Sequence, residues 1–314
     1  MSYCCAIDGG GTTTRCAIAD ATRVLGVVTT ESAKPSRKGY EESGRILFDT
    51  ILATCAEADV PFTLLKGISI GMSGVWREPE RQQLRGALYD AAHAAMYPLP
   101  KLLIVSDVEN ALSGALGDAS GVVVISGTGS IAMGRNEAGD IVRMGGYGPE
   151  LGDEGSGTWI GRSAFQLMVR AVDGRKPHSG LTRSLADALQ LGNAEELRMF
   201  ISDHRHDLNF FSGLTPRVFD FALQNEIDAM EILHNAAEEL CILARGAASV
   251  FGAPSQKRPV PVCFLGSIAE QTMMKHALVS ILHNIPELQR TEAKGTALDG
   301  ALERARRMWL RSGD

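Results

Sequence analysis

One supersecondary unit occurs twice in the chain, and this repeat limits the fold more than any other feature. The first copy is an apolar run at residues 3–7, a turn rich in glycine and threonine, and two further strands ending near residue 30. The second copy is an apolar run at 121–125, a Ser-Gly-Thr-Gly-Ser turn and two more strands. The turns lie a little under 120 residues apart, so the repeated unit has the size of a domain and the chain is no short-period solenoid.

Helices and strands alternate after each turn. In the first half, apolar periodicity predicts helices and buried strands in turn, at residues 40–58, 67–71, 79–96, 102–105 and 107–116. In the second half the predicted elements are a mostly helical stretch, a strand and a last helix, at 156–251, 260–265 and 296–309. This alternation predicts an α/β protein.

The length of 314 residues suits two domains of about 150 residues each. We place the first domain at residues 1–118 and the second at 119–314, with a helical insertion in the second. The last helix has an alternative placement, in which it packs back on the first domain.

Composition excludes several classes of protein. Acidic residues outnumber basic ones by 37 to 31, whereas nucleic-acid-binding proteins usually present a basic face. The chain has neither the roughly 20-residue apolar run that crosses a bilayer nor the pattern of a signal peptide. Six cysteines without a C-x-x-C pair favour buried reduced thiols over a metal site, and the His-Arg-His stretch at 204–206 favours a solvated segment. We therefore expect a cytoplasmic protein that binds neither nucleic acid nor membrane.

The first glycine turn has the composition of a phosphate-binding loop. Consecutive glycines allow backbone N–H groups to converge on an anion, and threonine hydroxyls add donors. An acidic residue beside such a loop requires a screening cation, so we predict that Asp8 binds Mg²⁺ through water. A tight hairpin needs only one or two glycines, which this turn exceeds with Asp8, Gly9, Gly10, Gly11, Thr12 and Thr13.

The second turn also offers backbone amides and hydroxyls after a buried strand, from Ser126, Gly127, Thr128, Gly129 and Ser130. Its sequence matches the dinucleotide fingerprint G-x-G-x-x-A, but that motif requires a helix directly after the loop and a strand is predicted here. The sequence contains no Walker A pattern. Two such loops, one in each half, are suited to gripping a polyphosphate without a Walker lysine.

Asp107 follows a buried strand, at the end where α/β sheets place ligands. It also opens the next helix, so the alternative is a helix N-cap. With two phosphate loops in the chain, a carboxylate is needed to orient the acceptor hydroxyl and accept its proton, and Asp107 is the best placed candidate.

A third glycine-rich stretch covers residues 145–157 and is too rich in glycine for a core helix or strand. It predicts a shaped binding loop that leads into a helix at Ser156. Tyr147 is suited to stacking on a sugar face and Asp153 to bonding sugar hydroxyls. The alternative is an acidic helix start favoured by the helix dipole.

Three motifs together resemble one known group: Asp8-Gly-Gly-Gly-Thr, Ser126-Gly-Thr-Gly-Ser and Gly152-Asp-Glu-Gly-Ser. They resemble the N-acetylglucosamine kinase branch of the actin/hexokinase/Hsp70 superfamily, which includes the BadF/BadG/BcrA/BcrD-type ATPases. The resemblance covers most of the chain. It implies two ribonuclease H-like domains of the actin/hexokinase type with an interdomain cleft, and ATP-dependent phosphorylation of the 6-hydroxyl of N-acetylglucosamine by a homodimer.

The resemblance also implies roles for single residues. Asp107 is implied as the catalytic base at the 6-hydroxyl, and Asp8 as the neighbour of Mg²⁺. The residues implied to contact ATP are Gly9, Gly10, Gly11, Thr12, Thr13, Gly127, Thr128, Gly129, Ser267 and Gln271. The residues implied to contact the amino sugar are Asp107, Ser130, Gly146, Tyr147, Gly148 and Asp153.

Two positions depart from this family pattern. Tyr147 stands where the sugar loop usually carries Trp, and residues 32–37 lack the Asn of the family's N-acetylglucosamine kinases. The cations Lys34 and Arg37 in that stretch favour a different sugar, or an acidic one. The alternatives are a glucosamine kinase, an ATPase that activates a reductase, and a sugar-sensing regulator. The activators are expected to hold an Fe–S cluster with paired cysteines, whereas the cysteines of this chain are scattered.

Overall fold

The computed structural model describes residues 2–204, 207–252 and 258–310, so Arg205 and His206 of the His-Arg-His stretch lie outside the described residues. The chain divides into two compact units. The first comprises the residues up to Ala119 together with those from Ala293 onward, and the second extends from Ser120 to Glu292. The residues after Glu292, which the sequence placed in the 119–314 domain or packed back on the first, are grouped with the first unit.

The elements follow each other along the chain as β1 (Tyr3–Gly9), β2 (Thr13–Ala19), β3 (Val24–Glu31), α1 (Pro35–Lys38), α2 (Tyr40–Glu57), β4 (Leu65–Met72), α3 (Glu78–Ala94), β5 (Lys101–Ser106), α4 (Asp107–Leu116), β6 (Gly121–Ser126), β7 (Ser130–Arg135), β8 (Ile141–Gly145), α5 (Gly157–Val172), α6 (Gly180–Leu189), α7 (Ala194–His204), α8 (Leu208–Leu223), α9 (Ile227–Ala248), β9 (Val260–Leu265), α10 (Thr272–Leu282), β10 (Leu288–Arg290) and α11 (Ala297–Leu310).

The two units contain sheets of the same topology. In the described residues the strand orders are β3-β2-β1-β4-β5 and β8-β7-β6-β9-β10. The first three strands of each sheet form an antiparallel meander, and the last two run parallel to the first. This identity of order and direction confirms that one α/β unit occurs twice, as the spacing of the glycine turns indicated.

Helices cover both faces of the first sheet. Alternate residues of β1 point to opposite faces, so Cys5 and Ile7 join a core with α2 and α3 while Cys4 and Ala6 contact α11. Small residues on the second face allow α11 to approach closely, with Ala301 and Ala305 fully buried there. The packing of α11 against β1, β4 and α4 explains why this helix groups with the first unit.

Most helices of the second unit pack with the second sheet into one hydrophobic core. The 22-residue helix α9 packs across β6, β7 and β8, and α5 packs against α8. The predicted helical stretch at 156–251 is thus confirmed, as five successive helices α5 to α9. The described helices all lack the combination of length and apolar composition needed to cross a bilayer.

All six cysteines are free and buried, as the sequence predicted. Burial raises the pKa of the Cys4 thiol to about 11 and that of Cys55 to about 12. These thiols therefore stay protonated at neutral pH and are poor nucleophiles or metal ligands.

Candidate active site

Three polar residues lie at one edge of the first sheet because their strands run parallel. Asp8 pairs with Gly71 on β4, and Gly71 pairs with Val105 on β5. Ser73 and Asp107 follow directly after the ends of β4 and β5. The carboxyl ends of parallel strands are the usual ligand edge of an α/β sheet.

The Asp107 carboxyl group has an unusual electrostatic environment. Its pKa is raised to about 6, first by burial and second by the negative charge of Asp8. The N–H of Val108, the Ser73 hydroxyl and the charge of Lys34 act in the opposite direction. At neutral pH Asp107 is therefore mostly ionised, yet it is a stronger base than an ordinary aspartate.

Asp107 is not the N-cap of α4, which was the alternative that the sequence left open. Ser106 takes that position, and its hydroxyl accepts a hydrogen bond of 3.3 Å from the N–H of Glu109. The Glu109 carboxylate in turn accepts the Ser106 N–H at 2.8 Å, which completes a capping box. Since Ser106 and Glu109 cap the helix, the Asp107 carboxylate remains available for a ligand.

Asp8 is buried and paired. Its carboxylate accepts a hydrogen bond of 2.8 Å from Arg15 Nη2, and a second one from the Asn110 side chain. Burial raises the pKa of Asp8, while Arg15 and Asn110 oppose that rise. Asn110 also donates to the carbonyl of Ile7 at 3.0 Å and accepts from Arg304 Nη1 at 2.8 Å. Through Arg304 the α11 helix therefore helps to hold Asn110, and with it Asp8, in place.

The first glycine turn connects β1 to β2 at this same edge. The N–H of Gly10 donates to the carbonyl of Thr13 at 2.9 Å, which closes the turn. Thr12 and Thr13 are exposed, and no heavy atom lies within 4 Å of a β-carbon built on Gly11. This part of the turn thus presents its amides and hydroxyls to a ligand. The Arg37 side chain, one of the two cations noted in the sequence, donates to the carbonyl of Gly11 at 2.9 Å.

In the second unit, the second glycine turn is bonded to the third glycine-rich stretch. The hydroxyls of Ser126 and Ser130 donate to the carbonyls of Gly155 and Glu154, at 2.8 and 2.6 Å. The Thr158 hydroxyl donates to the carbonyl of Thr128 at 2.8 Å. Hydrogen bonds therefore hold the two stretches together in the second unit.

Asp153 lies at the junction of these stretches. It has a left-handed backbone conformation with φ of 60°, which is uncommon outside glycine. Its Oδ1 is 3.4 Å from the N–H of Ser130, and its Oδ2 is 2.8 Å from the place where a β-carbon on Gly129 would stand. A side chain at position 129 would therefore displace the Asp153 carboxylate from its place over the turn. The α5 helix is capped by Ser156, three residues after Asp153.

Two arginines hold the backbone of the third stretch. Arg143 Nη2 donates to the carbonyl of Gly146 at 2.7 Å, and Arg162 donates to the carbonyl of Pro149. Gly146 and Gly148 both have positive φ, and the Tyr147 side chain between them is 75% exposed. The loop thus presents an aromatic ring on a backbone held at both sides.

Ser267 and Gln271 follow β9, beside the second glycine turn. The N–H of Ile268 donates to the carbonyl of Ser126 at 3.0 Å, and Ser267 Oγ is 3.7 Å from the place of a β-carbon on Gly127. Gln271 is exposed and precedes the first turn of α10. Both side chains are accessible to a ligand that extends from this turn.

The sheet edge of the first unit that carries Asp8 and Asp107 fits Mg²⁺. Within the described residues, no group of three or more His, Cys, Asp or Glu side chains is arranged to hold a metal ion. Mg²⁺ does not need such a cage, since it keeps several waters and binds one or two carboxylates together with substrate phosphates. A cation at Asp8 would also relieve the repulsion between Asp8 and Asp107 that raises the pKa of Asp107.

Ser73 and Asn110, which bond to Asp107 and Asp8, were not predicted from the sequence, and neither was the position of Lys34 relative to Asp107. Ser73 follows a parallel strand at the same edge as Asp107, so the rule that selected Asp107 also points to it. The contact of Asn110 with the carbonyl of Ile7, 103 residues away, carries no local signal. Lys34 lies close enough to Asp107 for its charge to lower the pKa of that carboxyl group.

Comparisons with known proteins agree with these observations. The N-acetylmuramic acid/N-acetylglucosamine kinase of Clostridium acetobutylicum is 30% identical over 258 residues, 82% of this chain and 83% of that protein. The N-acetyl-D-glucosamine kinase of Dictyostelium discoideum is 30% identical over 296 residues, 90% of this chain and 91% of that protein. A solved structure of a candidate N-acetylglucosamine kinase from Chromobacterium violaceum is 27% identical with a TM-score of 0.77, covering 96% of this chain and 98% of that one.

The fold of the Chromobacterium structure confirms the predicted two-domain α/β class of the actin/hexokinase type. The model of the BadF/BadG/BcrA/BcrD ATPase family matches residues 6–302. The three glycine motifs lie inside that range and keep the order on which the resemblance was based. The protein therefore belongs to the BadF/BadG/BcrA/BcrD ATPase family.

Proposed function

We propose that the protein transfers the γ-phosphoryl group of ATP to the 6-hydroxyl of N-acetylglucosamine. The observation that carries the proposal is the position of the Asp107 carboxyl group at the ligand edge of the first sheet. It accepts a hydrogen bond from Ser73, and it does not cap α4, because Ser106 does. Phosphoryl transfer to a sugar requires a carboxylate that orients the hydroxyl and accepts its proton. The Clostridium and Dictyostelium relatives are both named as kinases of N-acetylglucosamine, which favours this sugar.

In this proposal the two glycine turns bind the phosphates of ATP. Gly9, Gly10 and Gly11 and the hydroxyls of Thr12 and Thr13 serve from the first turn, and Gly127, Thr128 and Gly129 serve from the second. Backbone amides and hydroxyls are sufficient for this task without a Walker lysine. Ser267 and Gln271 are accessible beside the second turn and are proposed to contact the adenosine.

Asp107 is the proposed general base. Its pKa of about 6 is still below neutral pH, so the carboxylate is mostly ionised there, and the rise above the ordinary aspartate value strengthens it as a proton acceptor toward a hydroxyl. The Ser73 hydroxyl bonds the same carboxylate and is proposed to fix its orientation. Asp8 would hold Mg²⁺, which neutralises charge on the transferred phosphoryl group when it is bound.

The acceptor sugar is proposed to contact the third glycine-rich stretch. Tyr147 offers an exposed ring to an apolar face of the sugar, and Gly146 and Gly148 leave the backbone open beside it. Ser130 donates its hydroxyl proton to the carbonyl of Glu154, so its oxygen retains lone pairs for a sugar hydroxyl. The Asp153 carboxylate beside it is proposed as the second acceptor.

The position of the new phosphate tests the proposal. Purified protein is incubated with ATP, Mg²⁺ and N-acetylglucosamine, and the product is examined by proton-coupled ³¹P NMR. We expect a phosphomonoester coupled to the two protons on C6. Coupling to the anomeric proton, or recovery of unmodified sugar after full consumption of ATP, would contradict the proposal. Glucosamine in a parallel reaction tests the alternative acceptor.

We also propose that the enzyme is a cytoplasmic homodimer joined through its second unit. Around the start of α9 in that unit, Leu223, Ile227 and Met230 are 67%, 79% and 43% exposed. Large exposed apolar side chains that lie close together in the sequence favour a partner, and a second copy of the chain is the simplest one. Light scattering should give a mass of twice the 33.6 kDa of one chain. A charged substitution at Ile227 should lower the measured mass toward that of a single chain.

A further inference from the structure

Three cations lie on the short segment between β3 and α2, and two of them have partners. Arg37 donates to the carbonyl of Gly11, and Lys38 pairs with Glu31 at 2.8 Å. Within the part of the chain that the structure describes, the Lys34 ammonium forms neither a hydrogen bond nor an ion pair, and its charge acts at longer range to lower the pKa of Asp107. Lys34 is thus a half-buried cation whose donors remain available to a ligand.

The backbone of Lys34 is firmly placed. Its N–H donates to the hydroxyl of Ser32 at 3.3 Å, and that hydroxyl donates to the carbonyl of Gly10 in the first phosphate turn at 2.8 Å. The next residue, Pro35, is buried and opens α1. The position of the lysine is therefore tied to the phosphate turn by hydrogen bonds and packing.

The side chain of Lys34 extends toward the proposed acceptor site. Its Cε lies 3.3 Å from the place where a β-carbon on Gly74 would stand. The adjacent residue, Ser73, donates its hydroxyl to the Asp107 carboxylate. The ammonium is thus close to Asp107 but beyond the 4 Å of an ion pair, a separation that suits one ligand contacting both groups.

We propose that Lys34 determines the specificity of the acceptor site, and that its ammonium pairs with a carboxylate carried by the acceptor amino sugar. The inference rests on the proposed function, because it assumes that the 6-hydroxyl lies at Asp107. In a pyranose C6 is attached to ring carbon C5, and the next ring carbons are C4 and C3. The oxygens on C4 and C3 are therefore the substituents that come next after the 6-hydroxyl. A neutral amide at this position would suit two hydroxyls, whereas a lysine suits an acidic substituent on one of these oxygens.

N-acetylmuramic acid is the matched probe for this proposal, since it is N-acetylglucosamine with a lactic acid ether on O3. The experiment measures kcat/KM for both sugars and binding of both by calorimetry. The variants are Lys34→Met, Lys34→Asn, and Lys38→Met as the control, which removes the same charge from the same segment at an exposed pair. All variants are first compared with the parent protein by circular dichroism and melting temperature.

We expect the parent protein to bind and phosphorylate the acidic sugar, and Lys34→Met to lower kcat/KM for it by about ten- to a hundredfold, the usual effect of losing a charge-assisted hydrogen bond. The value for N-acetylglucosamine should change by less than about threefold. Lys34→Asn should reverse the preference toward the neutral sugar. Lys38→Met should leave both sugars unchanged.

Three results would overturn the inference. They are an equal loss for both sugars in Lys34→Met, which would assign the lysine to ATP or to Asp107 itself; an unchanged ratio between the sugars; and a parent protein that phosphorylates N-acetylglucosamine but does not bind the acid. The last result would leave the proposed function intact. Conversely, binding of the acid that depends on Lys34, without phosphoryl transfer to either sugar, would uphold the inference and contradict the proposed function.

Discussion

Asp8 and Asp107 stand at the ends of strands β1 and β5, separated by β4, and the charge of Asp8 raises the pKa of Asp107. The two acids have different partners. Asp8 is bonded to Arg15 and Asn110, whereas Asp107 is bonded to Ser73 and the N–H of Val108. Burial raises the pKa of both carboxyl groups, and perturbed pKa values of this kind cluster at functional sites.

Replacement of Asp107 by Asn should remove the proposed base while keeping the shape of the side chain. We expect turnover to fall by about 10²- to 10⁴-fold, because general base catalysis contributes about that much. Affinity for ATP should be nearly unchanged, since Asp107 is proposed to contact the sugar. Initial rates of ADP release and ATP titrations measure the two effects. A variant with near-full turnover would show that Asp107 is not the base.

The pH dependence of kcat/KM, measured with both ATP·Mg²⁺ and sugar at limiting concentration, should report the pKa of Asp107 in the free enzyme, before a cation reaches Asp8. Because that pKa is about 6, activity should be level above pH 7 and fall about tenfold per unit below pH 6. An ordinary aspartate would give this fall near pH 4. Rates in overlapping buffers from pH 4.5 to 8.5 locate the midpoint, and a midpoint below 5 would contradict the electrostatic description.

The same raised pKa affects stability. The folded protein retains a proton on Asp107 that the unfolded chain has already released, so this group's contribution to stability decreases as the pH rises from about 4 to about 6. Asp107→Asn removes that unfavourable charge. We therefore expect the variant to melt at a higher temperature than the parent protein at pH 7, with the difference shrinking toward pH 4. Ligand-free calorimetry at both pH values provides the comparison.

Chelation of divalent cations should abolish activity, and added Mg²⁺ should restore it. Asp8→Asn should raise the Mg²⁺ concentration needed for half-maximal rate at least several-fold, because a neutral amide is a weaker ligand than a carboxylate. Asp49→Asn is the control, since Asp49 pairs with Arg45 on an exposed face of α2. An unchanged Mg²⁺ requirement in Asp8→Asn would remove Asp8 from the metal site.

The close packing of α11 on α4 depends on Gly114. A β-carbon there would stand 1.8 Å from the carbonyl oxygen of Thr296, a backbone atom that cannot move aside easily. Gly114→Ala should therefore destabilise the protein by about 1–3 kcal/mol or more. Gly86→Ala lies on an exposed face of α3 with no atom within 4 Å, and should stabilise by about 0.5–1 kcal/mol. Urea denaturation of the two variants gives the contrast.

Features that depend on local pattern could be predicted from the sequence. The repeat of strand, glycine turn and strands led to two sheets of identical topology, and the end of a buried strand at Ser106 led to Asp107. The helix 107–116 was predicted correctly, but its cap was not assigned, because Ser106 and Asp107 are both favourable caps and only the Ser106–Glu109 reciprocal bonds distinguish them.

Features that depend on distant contacts could not be predicted. Asn110 reaches Asp8 and Ile7 because β1 and α4 pack together, and Arg304 reaches Asn110 across 194 residues of sequence. The place of the Asp153 carboxylate over the second glycine turn depends on the absence of a side chain at Gly129, 24 residues earlier in the sequence. The approach of Lys34 to Asp107 requires the segment after β3 to lie beside the residues that follow β4, which no periodicity indicates.

The central claim is that ATP consumption depends on an amino sugar. The most direct measurement is ADP release from ATP and Mg²⁺ with N-acetylglucosamine, glucosamine, N-acetylmannosamine, glucose and glucuronate, each against a reaction without sugar. We predict strong ADP release with N-acetylglucosamine and only background release without sugar. Equal ATP hydrolysis with and without sugar, or no hydrolysis under any condition, would contradict the assignment as a sugar kinase.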